Sequence, residues 1–173
     1  MASLLRKMIQ GWVVLSVCLL GLVWATPAYA AASTAAAGSL SDFENGSMVG
    51  EDLSGQNFAG AQFANVKLDN AKLDKTNLIG AVFSTSTLRG TSFKGADMTQ
   101  IIFDQVRLID VDFSDAVLED GLLLRAEFNN IKADGADFTG TILSSLQTKQ
   151  LCANVSGTNS KTGVDTRESL GCR

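Results

Sequence analysis

The chain has 173 residues, of which 46% are apolar, 18 are acidic, 14 are basic and none is histidine. This length suits one domain together with processing segments. Without histidine the chain has no Ser-His-Asp or Cys-His nucleophile and lacks the commonest transition-metal ligand. We identify no catalytic, metal-binding or cofactor-binding residues, so the sequence predicts a protein that is not an enzyme and holds no cofactor.

Residues 1–30 have the three parts of a secretory signal peptide. Arg6 and Lys7 form a basic start, and an apolar run extends from about residue 11 to residue 24. The small-residue motif Ala28-Tyr29-Ala30 follows, which predicts cleavage after Ala30. We therefore expect an exported protein with no stable membrane insertion after signal cleavage.

Two other fates of this segment stay open. Residues 1–30 could remain as a membrane anchor, although the apolar run is short for a span. Cys18 could carry a lipid, although Val17 is bulkier than the residue that normally precedes a lipoprotein cysteine. Neither alternative changes the interpretation of the rest of the chain.

The mature chain is acidic and begins with a linker. Removal of residues 1–30 leaves 12 basic and 18 acidic residues, a net charge of 12 − 18 = −6. Binding of nucleic acid requires clustered Lys and Arg, so we expect no nucleic-acid partner. Residues 31–40 are mostly Ala, Ser, Thr and Gly with little to bury, which predicts a flexible linker.

Residues 41–144 repeat with a period of five. A Phe, Leu or Met occupies every fifth position from residue 43 to residue 143, with Ala133 as the exception, and the positions between are mainly small or polar. A period of five fits neither the 3.6 of a helix nor the 2 of a strand. The large side chains can share one environment only if the backbone turns at regular intervals, which is typical of a solenoid.

The repeat resembles that of the pentapeptide-repeat family. The family motif places Ala before a polar residue, then Leu or Phe, then two polar residues, and GADMTQ at 95–100 and GADFTG at 135–140 are close copies. The resemblance implies an all-β solenoid, a right-handed quadrilateral β-helix with four pentapeptides in each coil. Residues 41–144 would then form about five coils.

Opposite charges that are four pentapeptides apart support this coil length. Residues at that offset stack on neighbouring coils, so outward charges should pair like cross-strand partners. Five opposite pairs occur at this offset within the repeats, and no like-charged pair does. The five pairs are Asp52 and Lys72, Asp69 and Arg89, Asp74 and Lys94, Arg107 and Glu127, and Asp112 and Lys132.

One outward column is apolar. Val82, Ile102, Leu122 and Ile142 follow one another at intervals of one coil, so the same period places them in a ladder on one face, with Leu124 nearby. An exposed strip of this kind often marks a contact with another protein, and we take the four residues as a possible interface. Two alternatives stay open: the C-terminal segment folds back over the strip, or the strip has no partner.

Three carboxylates occupy equivalent outward places on successive sides of one coil. These are Asp110, Asp115 and Asp120. Successive sides of a square face apart, so the three are poorly placed to surround one Ca²⁺, and we predict a solvated acidic rim. Some members of the family bind topoisomerase by imitating DNA through acidity, and the resemblance implies this as an alternative function.

The five-residue period stops after Leu143, and residues 145–173 predict a short helical cap. Ser144 or Ser145 can begin a helix that ends near Leu151. Asp165 with Glu168 resembles the capping box of a second helix.

Cys152 and Cys172 are the cysteines that remain after signal cleavage. Export implies an oxidising compartment, so we predict a disulfide between them. The ending TGVDTRESLGC resembles that of small pentapeptide-repeat proteins in the thylakoid lumen of cyanobacteria and plants, which implies a disulfide-linked helical pair that caps the solenoid. A redox-regulatory role for the bond stays open.

These features predict a protein-protein interaction or structural scaffold in the thylakoid lumen, with the periplasm as the alternative compartment. The partner would be an unknown protein, and the sequence does not predict the oligomeric state. A DNA-mimicking topoisomerase-binding protein is the alternative, and it would require an intracellular location.

Overall fold

The computed structural model describes residues 42–173. The predicted signal peptide and the predicted linker, residues 1–40, lie outside this range. Between residues 42 and 173 no helix has the length and apolar character that a membrane span requires.

Short parallel strands, stacked one coil above another, build residues 42–143. Each strand pairs with the segment one coil later, so that Phe43 pairs with Phe63 and Phe63 with Phe83. Two sheets, with the orders β1-β2-β3-β5 and β4-β6-β7, contain all the strands of the described range. The strands are β1 (Asp42–Glu44), β2 (Gln62–Ala64), β3 (Val82–Ser84), β4 (Thr87–Arg89), β5 (Ile102–Asp104), β6 (Arg107–Ile109) and β7 (Glu127–Asn129).

Four faces follow one another around each coil. Face 1 contains β1, β2, β3 and β5 and continues through parallel bridges to Leu122 and Ile142. Face 2 contains β4, β6 and β7. Faces 3 and 4 consist of isolated parallel bridges, from Asp52 to Lys132 and from Asn57 to Asp137 respectively. Face 1 has five successive pairings, each between neighbouring coils, so the prediction of about five coils is confirmed.

The interior is the predicted stack of large apolar side chains. The ring centroids of Phe43 and Phe63 are 4.8 Å apart, those of Phe63 and Phe83 4.4 Å, and those of Phe83 and Phe103 5.3 Å. Phe63 and Phe83 are fully buried, and so is Ala133, the exceptional centre. The repeat therefore places every fifth side chain in one continuous core.

Left-handed backbone turns separate the faces. The last residue of each pentapeptide has a positive φ at most corners, for example 57° at Asn70, 55° at Asp110 and 71° at Gly135. Glycine adopts this conformation without steric cost, and Asn and Asp tolerate it better than most residues. The Gly, Asn and Asp between the large residues thus have a conformational role.

Two helices follow the solenoid, α1 (Ser145–Cys152) and α2 (Thr166–Ser169). Ser144 is the N-cap of α1, and it forms a complete capping box with Gln147, which the sequence analysis did not identify. Asp165 caps α2 as predicted, since its carboxylate accepts the backbone N–H groups of Arg167 and Glu168. The reciprocal half of the predicted box, from Asp165 N–H to the Glu168 side chain, does not form within the described residues.

Candidate functional site

The apolar strip, defined as Val82, Ile102, Leu122 and Ile142, lies on face 1 in the expected register. Parallel pairing joins each member to the next. Leu122 is 40% exposed and Ile142 is 53% exposed, whereas Val82 and Ile102 are half-buried. Leu124, one position beyond the buried Leu123, is 52% exposed. The exposed part of the strip is therefore its C-terminal end.

Leu146 adds an apolar side chain that the sequence analysis missed. It lies in the first turn of α1, four residues after Ile142, and is 66% exposed. Its neighbour Gln147 is buried in the solenoid end. An inward polar residue next to an outward apolar one reverses the usual pattern of a surface helix, so hydrophobicity alone gave no signal.

The C-terminal segment covers face 4 and leaves the strip open. Asn159 Nδ2 donates to the carbonyl oxygens of Ala116 at 3.1 Å and Gly135 at 2.9 Å. Phe138 N–H donates to the Ser169 hydroxyl at 3.1 Å. Val117, an outward residue of face 4, is only 4% exposed as a result. The alternative that this segment folds back over the strip is wrong.

Gln147 closes the last coil. Its side-chain Nε2 donates to the carbonyl oxygens of Leu123 at 2.8 Å and Ala126 at 2.7 Å. Its Oε1 accepts the N–H of Ser144 at 2.6 Å. In the coil below, the carbonyl oxygen of Val106, which is equivalent to that of Ala126, accepts the N–H of Glu127 in the next coil. Gln147 thus satisfies a group that a further coil would otherwise have bound, which blocks part of an open strand edge.

Asn159 attaches the C-terminal segment to the solenoid. It is 1% exposed, and its Oδ1 accepts the N–H groups of Lys161 and Thr162, each at 3.0 Å. Its Nδ2 also donates to Asp115 carbonyl oxygen at 3.2 Å. One side chain therefore fixes both the local turn and its position on face 4.

Asn159→Ala should lower the free energy of unfolding by about 2 kcal/mol, because buried donors and acceptors lose their partners. Ser160→Ala is the matched control, since it removes one hydrogen bond at an exposed site. Urea denaturation of both variants measures the difference. Equal small losses would show that Asn159 does not anchor the segment.

The predicted acidic rim is only partly correct. Asp115 is not free in solvent, because it accepts the N–H of Ser160 at 2.7 Å and the Ser160 hydroxyl at 2.5 Å. Asp110 accepts the side-chain amide of Asn130 at 2.7 Å. The Lys161 ammonium also binds Asp97, one coil below Val117. The C-terminal segment therefore neutralises part of the acidic surface.

The five predicted charge pairs have the correct register, but their side chains do not all meet. Arg107 and Glu127 approach to 3.6 Å. The Lys94 ammonium instead lies 3.3 Å from Asp112. Asp74 Oδ1 accepts the backbone N–H of Lys94 at 3.1 Å, so that carboxylate is used by the main chain of the next coil. The coil length therefore predicts which charged residues stack on neighbouring coils, but it does not predict which of them form ion pairs.

Four carboxyl groups have lowered pKa values, those of Asp52, Asp97, Asp112 and Asp137. Partial burial by itself raises the pKa of Asp97, but hydrogen bonds from Lys161 and Thr99 outweigh it and hold the pKa below its ordinary 3.8. Burial likewise raises the pKa of Asp112 and of Asp137, and hydrogen bonds outweigh it and lower both values. Thr139 supplies the main bonds to Asp137.

Stability should therefore fall in acid. A depressed folded-state pKa stabilises the fold above the unfolded-state value, and this contribution is lost as the pH falls through the folded-state pKa. We expect the urea midpoint to be steady above the ordinary value of 3.8 and to drop below it. Asp97→Asn together with Asp137→Asn should flatten this drop, and an unchanged pH profile would contradict the assignment.

The predicted disulfide is present. Cys152 and Cys172 are joined, with their Cα atoms 5.6 Å apart. Arg167 Nη1 also donates to the carbonyl oxygen of Cys152 at 2.7 Å, which connects α2 to the end of α1. Between residues 42 and 173, no group of three or more His, Cys, Asp or Glu side chains is arranged to hold a metal ion.

Comparison with known proteins identifies the family to which this fold belongs. A family model described as a pentapeptide repeat region matches residues 56–138. A crystal structure of a pentapeptide repeat protein from the thylakoid lumen of Arabidopsis thaliana is 30% identical, covers 72% of this chain and 90% of that chain, and superposes with a TM-score of 0.50. The chain belongs to the pentapeptide-repeat family. Its solenoid is the right-handed quadrilateral β-helix of that family.

A second relative comes from the same compartment. The thylakoid lumenal protein TL20.3 of Arabidopsis thaliana chloroplasts is 48% identical over 46 residues. That segment is 27% of this chain and 16% of the relative, so the similarity concerns a small part of the larger protein.

Proposed function

We propose that this pentapeptide-repeat protein is an exported, non-enzymatic scaffold of the thylakoid lumen that binds a protein partner through the apolar strip. The observation that carries the proposal is the uncovered C-terminal end of the strip on face 1. Leu122, Leu124 and Ile142 are 40%, 52% and 53% exposed there. The C-terminal segment covers face 4 instead.

The strip is suited to a contact because its backbone is held rigidly. Its members are paired through a continuous parallel ladder above a fully buried core. Little conformational entropy is lost when such a surface binds. Complete burial of a large aliphatic side chain contributes about 1.5 to 3 kcal/mol, and partly exposed side chains contribute the exposed share of that amount.

Matched variants test the strip. Leu122→Ser with Ile142→Ser removes its exposed end, and Val49→Ser with Ile79→Ser removes two other apolar side chains that are 52% and 40% exposed. Each protein would be used to capture partners from lumen extract after crosslinking. We expect the first pair to abolish a captured band that the second pair retains. Loss of the band with both pairs, or with neither, would overturn the interface.

The compartment has a separate test. The lumenal relatives and the predicted signal peptide support export to the thylakoid lumen, with the periplasm as the alternative. N-terminal sequencing of the protein from cells should give a chain that begins near Ala31, in the lumen fraction. An uncleaved chain in the cytosol would overturn this part of the proposal.

The DNA-mimicking alternative has weaker support. It needs a continuous acidic surface, whereas Asp110 and Asp115 lie at different corners of one coil. Asp115 and Asp97 are also occupied by Ser160 and Lys161 of the C-terminal segment. We therefore do not propose topoisomerase binding.

A further inference from the structure

The last coil has an unpaired backbone edge at the corner between faces 2 and 3. In the coil below, Asp110 N–H donates to the carbonyl oxygen of Asn129 at 2.9 Å, and Val111 carbonyl oxygen accepts the N–H of Lys132 at 3.0 Å. Every lower coil uses these positions in the same way. The groups therefore belong to the ladder that joins successive coils.

The equivalent groups one coil later are the N–H of Asn130 and the carbonyl oxygen of Ile131. Within residues 42–173 neither group has a hydrogen-bond partner. The strand β7, which precedes them, pairs only with β6 and is the last strand of its sheet. Within the described residues, face 2 therefore ends at a strand edge that can pair with another strand.

Helix α1 covers only one end of this edge. Gln147 binds the carbonyl oxygen of Ala126, just before β7. Beyond that contact, the end of α1 and the edge enclose an open cleft of about 300 Å³. Phe128, Ile131 and Leu151 provide its apolar lining, and Ala153 lies at its rim.

The charges beside this edge have opposite signs. Glu127, at the start of β7, has a side chain that is 78% exposed. Lys132, past the corner, is exposed as well. In the coil below, Arg107 lies under Glu127 and Asp112 lies under Lys132 in the parallel register. A strand added above would complement the charges of Glu127 and Lys132 if it had the same order, with a cationic residue first and an acidic residue five positions later.

We propose that this edge cleft is a peptide-binding site that takes an extended segment of a partner protein as an added parallel strand. The segment has a cationic residue over Glu127, followed directly by Leu or Phe over Phe128. An acidic residue over Lys132 follows five positions after the cation. Main-chain bonds to Asn130 N–H and Ile131 carbonyl oxygen hold it, and the apolar side chain enters the cleft.

This site is distinct from the apolar strip. The strip lies on face 1, whereas the cleft lies at the end of faces 2 and 3. The volume is at the lower end of the range for ligand sites, which suits one large side chain with its adjoining main chain.

The probe is the hexapeptide Arg-Leu-Ile-Asp-Val-Asp with blocked ends, a copy of residues 107–112. These residues already lie beneath β7 in the required register. Isothermal titration with the mature chain should show saturable binding with one peptide per chain. The strip variant, Leu122→Ser with Ile142→Ser, should bind the hexapeptide as the unaltered protein does, which separates this proposal from the proposed function.

Matched variants locate the peptide. Ala153→Trp places a large side chain at the rim of the cleft and should weaken binding by about tenfold or more, equivalent to about 1.4 kcal/mol. Ala59→Trp, at an exposed site in the first coil, should change the affinity by less than about twofold. Equal affinities for both variants, or equal losses, would overturn the site.

Altered peptides test the register. A hexapeptide with Glu in place of Arg should bind about threefold more weakly, and Glu127→Lys should restore its affinity. Methylation of the main-chain nitrogen of the final Asp removes the donor to Ile131 and should cost about tenfold. No saturable binding of the hexapeptide at millimolar concentration would overturn the proposal. Binding that appears only after residues 31–41 are removed would assign the edge to the chain itself and also overturn the proposal.

Discussion

Phe83→Ala should lower the free energy of unfolding by about 4 kcal/mol. Phe83 is fully buried, and its ring stacks at 4.4 Å on Phe63 and lies 5.3 Å from Phe103. Truncation leaves a cavity between two coils whose backbones are fixed by hydrogen bonds on both sides, so the site cannot collapse to fill it. Urea denaturation followed by circular dichroism measures the loss.

Phe43→Ala is the matched control at the end of the same column. Its ring also stacks on Phe63, at 4.8 Å, but the side chain is only half-buried. We expect a loss of about 2 kcal/mol, because the removed atoms are partly in contact with water already. A loss at Phe43 as large as that at Phe83 would contradict the view that burial in the continuous column determines the cost.

The periodic part of the structure was predictable because each coil repeats one set of contacts. A large side chain at every fifth position requires a turn between neighbours, and a coil of four pentapeptides places Phe63 over Phe43 and Phe83 over Phe63. The same reasoning placed Ile102 beside Leu122 on face 1. Period and register together determine which side chains stack, with no knowledge of loops or helices.

The position of the C-terminal segment was not predictable in this way. Its anchor, Asn159, binds Asp115, which is 44 residues earlier, and nothing periodic relates the two positions. Pattern analysis left open whether the segment covers the strip or another face, and the answer depends on hydrogen bonds of single residues. The partner of Lys94 was missed for a similar reason, since Asp74 had already been used by a main-chain N–H.

The two candidate sites also differ in how far the repeat pattern could predict them. The strip is a product of the repeat, so its residues were identified from spacing alone, although the exposure of Leu122 and Ile142 depends on where the C-terminal segment lies. The edge cleft exists because α1 covers only the Ala126 end of the open edge. Such a site arises where the repeat stops, and a repeat pattern contains no information about its own termination.

Removal of the disulfide should lower the free energy of unfolding by about 3 kcal/mol in the chain-entropy model. Cys152 and Cys172 have a sequence separation of 20, and the bond limits the freedom of that loop in the unfolded chain. Cys152→Ser with Cys172→Ser, and the reduced unaltered protein, should lose the same amount in urea denaturation. A loss confined to one of the two would show that substitution or free thiols, rather than loop closure, cause the effect.

In the folded protein, removal of the disulfide should increase local opening of the C-terminal segment but not of the solenoid. Without the bond, α2 and the turn before it are held to the solenoid by hydrogen bonds such as that from Thr166 N–H to Gly157 carbonyl oxygen at 3.0 Å. Segments that are held by few contacts open locally at a lower free energy than the whole protein unfolds. Hydrogen exchange of Thr166 and Asn159 N–H should therefore accelerate in the double variant, while that of Val82 N–H, which binds Ala61 in the coil ladder, should not. Equal acceleration at all three would mean that the disulfide stabilises the whole solenoid and that the cap and the coils unfold as one unit.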